Sequence, residues 1–265
     1  MSYSNPAAYE QFMGRWSASL APLFLRFVGI GDGQHVLDVG CGTGTLTRAI
    51  ISCGLTVKVT GIDPVAAYVS FARKAVPEAE FRVGAAELLP FPDGTFDATV
   101  GLLVLQDFID PRQAVGEMAR VTRPGGAVAT CMWDFRDGLP MLALFWQAAG
   151  AVAPGQMSSQ RPQNPLRRHA TLDDLRDLWQ GCGLSDIETD TLEISMNFSS
   201  FGDYWQPFLG ASTPTSALAA ALHSQTGGAL ARALRDKLSG VRPNGSFALA
   251  ARAWAVKGTV GALRR

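Results

Sequence analysis

Between residues 36 and 133 the chain alternates short apolar runs with amphipathic stretches. The runs are rich in β-branched residues, as buried strands are, and the stretches between them place apolar residues three and four apart, as helices do. The predicted strands cover residues 35–39, 56–62, 79–84, 96–105 and 126–133, and the predicted helices cover 46–52, 65–75 and 111–121. Strands that alternate with helices in this way predict a parallel sheet with helices on both faces.

The flanking segments add helices before this core and two strands after it. Asn5 followed by Pro6 is a typical helix start, and residues 17–28 form a second amphipathic stretch. After residue 133 the pattern predicts an apolar helix to about residue 153, a long loop, and a helix capped by Thr171. A strand at 187–198, helical material at 200–239 and a last strand at 246–258 follow. The two late strands predict an antiparallel pair at one sheet edge.

Composition narrows the class of protein and its partners. Hydrophobic residues make up 47% of the chain and charged residues 17%, which is typical of a globular protein. Lys plus Arg and Asp plus Glu both number 23, so the net charge of zero favours neither nucleic acid nor a membrane surface as partner. The longest apolar run, residues 141–153, is too short to span a membrane, and the first residues do not resemble a signal peptide.

The cysteines indicate neither a zinc site nor a disulfide framework. They lie far apart, without a C-x-x-C pair or a histidine at ligand spacing, at Cys41, Cys53, Cys131 and Cys182. We therefore expect reduced thiols in a cytoplasmic protein, and no metal.

The stretch VLDVGCGTGTLT, residues 36–47, contains three glycines at alternate positions directly after the first strand. In an open parallel sheet the loop after the first strand is the usual ligand position. Glycines remove side chains where a ligand approaches the backbone and allow positive φ angles. The spacing lacks the third glycine of a dinucleotide fingerprint and the G-K-S/T of a P-loop.

This stretch resembles motif I of the class I S-adenosylmethionine-dependent methyltransferases. VTGIDP resembles their second-strand acid, AAELLPFPDGTFDATV the segment leading into strand four, and ARVTRPGGAVA the entry to strand five. These motifs cover residues 36–130 in the order of the family and most resemble its small-molecule branch (methyltransferase type 11), which includes quinone-biosynthetic C-methyltransferases.

The resemblance implies a fold and a division of the chain. The fold is α/β, Rossmann-like and doubly wound, with a seven-stranded, mostly parallel sheet, an antiparallel C-terminal strand and helices on both faces. Residues 1–265 would form a single methyltransferase domain, with an N-terminal helical lid at 1–30, a cofactor-binding core at 36–133 and substrate-cap insertions at 134–170 and 200–240.

The resemblance also implies S-adenosylmethionine as cofactor and S-adenosylhomocysteine as product. Asp63, about 20 residues beyond the glycine loop, would accept the ribose hydroxyls, although an Asp-Pro pair also caps helices. Tyr9 and Arg15 would approach the methionine end of the cofactor from the lid, and Ala85 stands where the family often has an acid for adenine. The implied cofactor-binding residues are Tyr9, Arg15, Asp38, Gly40, Cys41, Gly42, Gly44, Asp63, Pro64, Ala85, Ala86, Glu87, Leu103 and Gln106.

The methyl acceptor is less specified by the sequence. Gln106 stands where relatives often carry histidine, and a glutamine cannot act as a base at neutral pH. His169 follows two arginines and reads as a surface residue, and Asp107, Asp134 and Asp137 read as solvated carboxylates rather than metal ligands. Aromatic residues near the predicted caps either belong to the core or line a pocket for a planar or apolar acceptor: Trp133, Phe135, Trp146, Tyr204 and Trp205.

The predicted function is transfer of a methyl group from S-adenosylmethionine, by in-line displacement, to a small apolar or aromatic molecule. Two alternatives stay open at this point. One is an RNA or protein methyltransferase with the same fold, and the other is a cofactor-binding module without catalytic activity.

Overall fold

The computed structural model describes residues 5–156, 170–210, 213–238 and 245–261. In these parts of the chain seven strands form one sheet in the order β3-β2-β1-β4-β5-β7-β6. The strands are β1 (His35–Val39), β2 (Lys58–Asp63), β3 (Glu80–Val83), β4 (Phe96–Leu102), β5 (Thr122–Trp133), β6 (Leu184–Phe198) and β7 (Phe247–Val260). β7 pairs antiparallel with both β5 and β6, and the pairs among β1 to β5 are parallel. The predicted fold class is confirmed.

The helices pack on both faces of this sheet. They are α1 (Pro6–Tyr9), α2 (Arg15–Val28), α3 (Thr45–Ile51), α4 (Ala66–Ala75), α5 (Pro111–Val121), α6 (Pro140–Val152), α7 (Leu172–Gly181), α8 (Phe201–Trp205), α9 (Pro214–Gln225) and α10 (Ala229–Lys237). Among the described residues no helix combines the length and the apolar character needed to cross a membrane.

Several element boundaries differ from those predicted by the sequence pattern, among them the start of β6 at Leu184 rather than at residue 187 and one boundary each of β4 and β5. β4 ends at Leu102 rather than at residue 105, because Leu103 adopts a positive φ of 57° and a 3₁₀ turn follows. β5 begins at Thr122 rather than at residue 126, because Thr122 pairs with Phe96 before the register shifts. These changes lie at strand ends, where a pattern of apolar residues is least informative.

The N-terminal helices are joined rather than separate. A π-helical turn over Glu10–Gly14 connects α1 to α2, so the chain runs helically from Pro6 to Val28. Asn5 caps this start, since its side chain accepts the N–H of Ala8 at 3.1 Å. π-Turns inside helices are often found at functional sites.

Alternate residues of the central strands supply two cores on opposite faces of the sheet. Ala129, Cys131 and Trp133 of β5 point to the face covered by α2, α3 and α6. Val128 and Met132 point to the face covered by α5 and α7. This period of two explains why the strands are apolar on both sides.

The predicted division of the chain into lid, core and caps stays a prediction. The first cap, at 134–170, includes residues 157–169, which lie outside the described residues, and His169 is among them. The described part of the second cap contains α8, α9 and α10, and α10 packs against α6.

Trp179 attaches α7 to the sheet, and its loss is expected to be costly. The side chain is fully buried, and its Nε1–H donates to the carbonyl of Val128 at 3.0 Å. Trp179→Ala should lower the free energy of unfolding by about 3–5 kcal/mol. Urea denaturation measures this, with Asp177→Ala, at an exposed position of the same helix, as control. A loss below about 1 kcal/mol would show that α7 contributes little to the core.

Candidate functional site

The glycine loop after β1 uses its three glycines for three different reasons. All have positive φ angles, +68° at Gly40, +53° at Gly42 and +88° at Gly44. A Cβ at Gly40 would collide with the side chain of Val104, and one at Gly44 would lie 3.3 Å from Cβ of Ala72 in α4. A Cβ at Gly42 would meet nothing closer than 4.0 Å. Gly42 therefore borders open space that the protein's own packing does not use.

The end of β2 holds this loop in place. The N–H groups of Gly40 and Cys41 donate to the carbonyl of Ile62 at 2.8 and 3.0 Å. The N–H of Gly42 donates to Oδ2 of the buried Asp63 at 3.0 Å, and the N–H of Val65 donates to Oδ1 at 2.8 Å. Asp63 thus fastens both the glycine loop and the turn into α4. Each carboxylate oxygen has a second lone pair with which it can accept a ligand hydroxyl.

Asp38, at the end of β1, is a buried acid with a spare acceptor. Thr47 donates its hydroxyl to Oδ2 at 2.6 Å, while Oδ1 is buried and has no partner among the described residues. Burial raises the pKa of Asp38 to about 7, hydrogen bonds from Thr47 oppose this, and the charge of Asp63 adds to it. Burial likewise raises the pKa of Asp63. A cation bound near these two acids would favour their charged forms and lower both raised pKa values.

The N-terminal helices close over this loop. Tyr9 borders the space beside the loop, and its ring packs on Tyr68 of α4 with ring centroids 5.5 Å apart. Thr43, between Gly42 and Gly44, donates its hydroxyl to the carboxylate of Glu10. Sequence reasoning missed Glu10, Thr43, Thr47 and Tyr68, because their contribution depends on contacts between distant segments.

Arg15 does not border this space. Its guanidinium donates to Oδ1 of Asp203 at 2.6 Å and lies 4.2 Å from the ring centroid of Trp16. The guanidinium keeps further donors, because its buried Nε–H has no partner among the described residues. Its place at the cofactor therefore stays a prediction.

The space left beside the glycine loop is about 30 Å³. It is lined by Tyr9, Ser17, Asp38, Gly40, Cys41, Gly42, Thr43, Thr45, Leu46 and Leu102. Such a volume holds a water molecule or two, whereas pockets for organic ligands measure about 300–1,000 Å³.

The predicted adenine segment follows β3 and is fastened to α5. Ala85 and Pro64 are exposed and Ala86 is buried. Oε1 of Glu87 accepts the N–H of Ile109 at 2.8 Å, so Glu87 holds two loops of this edge together.

Gln106 follows β4, and hydrogen bonds with its neighbours fix its amide. It is buried, and its Nε2–H₂ donates to the carbonyl of Leu103 and to Oδ2 of Asp107 at 3.1 Å. Gln106 therefore positions the turn after the strand. Leu103 is itself buried, with its N–H donating to the carbonyl of Cys131 at 2.9 Å.

The predicted aromatic acceptor pocket is not found at this cavity. Trp133, Tyr204 and Trp205 are buried within the core, and the hydroxyl of Tyr204 donates to the carbonyl of Met141 at 2.9 Å. These three side chains pack as core residues, and an acceptor pocket that includes them stays a prediction. Phe135 and Trp146 are half-buried against the same core.

The carboxylates considered as metal ligands do not converge. Asp134 is buried and accepts a hydrogen bond from Arg252 at 2.5 Å, and Asp137 is exposed. Across the described ranges no three His, Cys, Asp or Glu side chains are grouped as they would be around a metal ion.

Comparison with known proteins agrees with this geometry. Residues 37–130 match the family model of a methyltransferase domain. An uncharacterized methyltransferase of Mycobacterium tuberculosis is 39% identical over 136 residues, 51% of this chain and 52% of that protein. A demethylmenaquinone methyltransferase of Renibacterium salmoninarum is 38% identical over 143 residues, 54% of this chain and 59% of that protein. The chain spans about half the length of the curated relatives it matches.

A solved structure shows the same fold. Phosphoethanolamine N-methyltransferase 2 of Haemonchus contortus, solved with phosphomonomethylethanolamine and S-adenosylhomocysteine, superposes with a TM-score of 0.59 at 17% identity. The match covers 97% of this chain and 57% of that chain.

Residues 37–130 therefore resemble a methyltransferase domain. S-Adenosylmethionine is the cofactor of the methyltransferases that this segment resembles, and the hydrogen-bonding groups beside the glycine loop fit it. The open side of Gly42 is a cradle that a Cβ would fill, and Oδ1 of Asp38 is a buried acceptor that a cationic amine can satisfy. The space of about 30 Å³ beside the glycine loop is smaller than S-adenosylmethionine.

Asp38→Asn is expected to remove a pH-dependent cost to stability. Because the folded-state pKa of Asp38 is raised to about 7, the folded chain binds more protons than the unfolded chain above the ordinary value of 3.8. Stability then falls as pH rises through this window, by about 1.4 kcal/mol per pH unit for one fully responding group.

Urea denaturation at several pH values between 3.8 and about 7 tests this expected loss of stability. The free energy of unfolding of the wild type should fall relative to that of Asp38→Asn as pH rises. Parallel curves for the two proteins would contradict the raised pKa.

Proposed function

We propose that this protein transfers a methyl group from S-adenosylmethionine to a small, apolar or aromatic acceptor. The observation that carries the proposal is the open side of Gly42, which borders the same space as the buried Asp38 and whose N–H donates to the buried Asp63. When bound, S-adenosylmethionine supplies an activated methyl group on a sulfonium. The protein's own task is to hold two reactants in line and to exclude water.

The proposed roles follow from the hydrogen-bond partners of each residue. Asp38 would bind the amine of the methionine part through its spare Oδ1, which would also lower its raised pKa. Asp63 would accept ribose hydroxyls with the remaining lone pairs of its carboxylate, while it keeps its bonds to Gly42 and Val65. Ala86 would donate its N–H to the adenine ring, since Ala85 has no side-chain acceptor.

The acceptor class is inferred from what the site lacks and from the charge of the chain. Gln106 cannot take a proton, so the acceptor would be a nucleophile that reacts without a strong protein base. A net charge of zero gives no general attraction for RNA. The name of the Renibacterium relative, a demethylmenaquinone methyltransferase, supports an apolar aromatic acceptor here.

Isothermal titration calorimetry with S-adenosylmethionine and S-adenosylhomocysteine tests the cofactor site. Asp63→Ala should weaken binding at least about tenfold, because charge-assisted hydrogen bonds contribute about 1.5–3 kcal/mol each. Asp63→Asn keeps the shape and one acceptor oxygen and should lie between Asp63→Ala and the wild type. Glu78→Ala, an exposed acid in another loop, is the control.

Gly42→Val should abolish binding, because its side chain would enter the open space beside the loop and strain a φ of +53°. Gly116→Ala is the matched glycine control, since a Cβ there meets nothing within 4 Å. Wild-type protein that binds neither compound would refute the proposal.

Turnover separates the remaining functions. Incubation with labelled S-adenosylmethionine and a panel of quinones, phenols and small amines should give a methylated small molecule. Methylated RNA or protein instead would indicate another acceptor class, and binding without any product would indicate a module without catalysis.

A further inference from the structure

The β3–β4 loop, residues 84–95, is fastened to α5 by one arginine. The loop forms neither helix nor strand. Arg120 of α5 donates to the backbone carbonyls of Leu89 and Phe91, each at 2.9 Å, and to Oδ1 of Asp93 at 2.7 Å. This guanidinium therefore fixes the path of the backbone where no regular ladder of hydrogen bonds does so.

Glu117, one turn earlier in α5, completes this attachment. Its Oε1 and Oε2 accept hydrogen bonds from Nε and Nη2 of Arg120 at 2.6 and 2.7 Å, and Oε2 also accepts the N–H of Leu89 at 2.8 Å. Hydrogen bonds from Arg120 lower the pKa of Glu117, so its carboxylate is charged at neutral pH. Both backbone polar groups of Leu89 are thus bound by charged side chains, and such bonds are about twice as strong as neutral ones. We call Glu117 and Arg120 the loop clamp.

The other end of the β3–β4 loop lies beside the acid proposed for the ribose. The N–H of Gly84 donates to the carbonyl of Asp63 at 3.1 Å, and the N–H of Leu88 donates to the carbonyl of Ala85 at 3.3 Å to close a turn that leads into the clamped part. Ala86 lies within this turn and is 7% exposed. Because the side chain of Ala85 cannot accept a hydrogen bond, recognition of a base at this turn depends on the backbone.

We propose that the loop clamp positions the β3–β4 loop for base recognition: it holds the N–H of Ala86 against N1 of adenine and so distinguishes adenine from hypoxanthine. The inference rests on the proposed function, which places adenine at this loop. N1 of adenine is an acceptor, whereas N1 of hypoxanthine carries a hydrogen and would face the N–H of Ala86 as a second donor. A backbone donor rejects the wrong base only while its position is fixed, because a loose loop can turn away from the unpaired group.

Two conservative variants loosen the loop clamp. Arg120→Lys keeps the positive charge, but one ammonium cannot replace the planar fork that reaches Glu117 and two carbonyls at once. Glu117→Gln keeps the size of the side chain and replaces its charge-assisted bonds by weaker neutral ones. Arg123→Lys is the matched control, because Arg123 forms its ion pair with Asp97 of β4 rather than with the β3–β4 loop.

Isothermal titration calorimetry with S-adenosylhomocysteine and S-inosylhomocysteine, in which hypoxanthine replaces adenine, measures this discrimination. The wild type and Arg123→Lys should bind the adenine compound about tenfold more tightly, and both clamp variants should reduce this ratio to about threefold or less. The ratio of the two affinities does not depend on the folded fraction, so a variant that folds less well is still informative.

Each other outcome of the titrations has a distinct meaning. An unchanged ratio in both clamp variants would overturn the proposal, because a purely structural role weakens both compounds equally. A wild type that binds both compounds equally would overturn it as well, while it leaves the proposed cofactor site in place. A wild type that binds neither compound would refute the proposed function and, with it, the role of the loop clamp.

A measurement without ligand tests the positioning directly. In proton–nitrogen correlation NMR spectra the amide peak of Ala86 should move in Arg120→Lys and Glu117→Gln and stay in place in Arg123→Lys. A peak that stays in place in both clamp variants would overturn the proposal, whether or not the protein binds S-adenosylhomocysteine.

Discussion

The hydrogen bond from the N–H of Gly42 to Asp63 is the contact on which the geometry of the site depends. It joins the loop after β1 to the end of β2, across neighbouring parallel strands. A loop with three positive φ angles has many alternative conformations, because glycine restricts the backbone least. The carboxylate of Asp63 selects one of them, aided by the carbonyl of Ile62, so that the open side of Gly42 faces the carboxyl edge of the sheet.

The burial of two acids beside this loop has an electrostatic cost. Asp38 and Asp63 are buried near each other, and burial, which disfavours the charged form, raises the pKa of each. Arg15, which a simple electrostatic argument would turn toward these acids, is engaged by Asp203 instead. Local instability of this kind is common at binding sites, where a ligand supplies the missing partner.

The sequence pattern predicts those parts of the molecule that depend on local chemistry. The sheet, its antiparallel last strand and the glycine loop follow from residue period and turn residues, because each is decided within a few positions. The pattern does not predict the contacts of Arg15, Tyr204 and Trp205, since their partners come from segments distant in the chain. A lone arginine or an aromatic pair gives no sign of whether it faces a ligand or Asp203 and Met141. The π-turn at Glu10–Gly14 likewise has no sequence signature.

The N-terminal helices also cover part of the glycine loop. An open cradle beside two buried acids would expose apolar surface and leave Thr43 to water alone. The segment Pro6–Glu10 covers that surface with Tyr9 and satisfies Thr43 with Glu10. The covering side chains are half-buried and precede the buried Phe12, so the N-terminal helices join the glycine loop to the core of the protein.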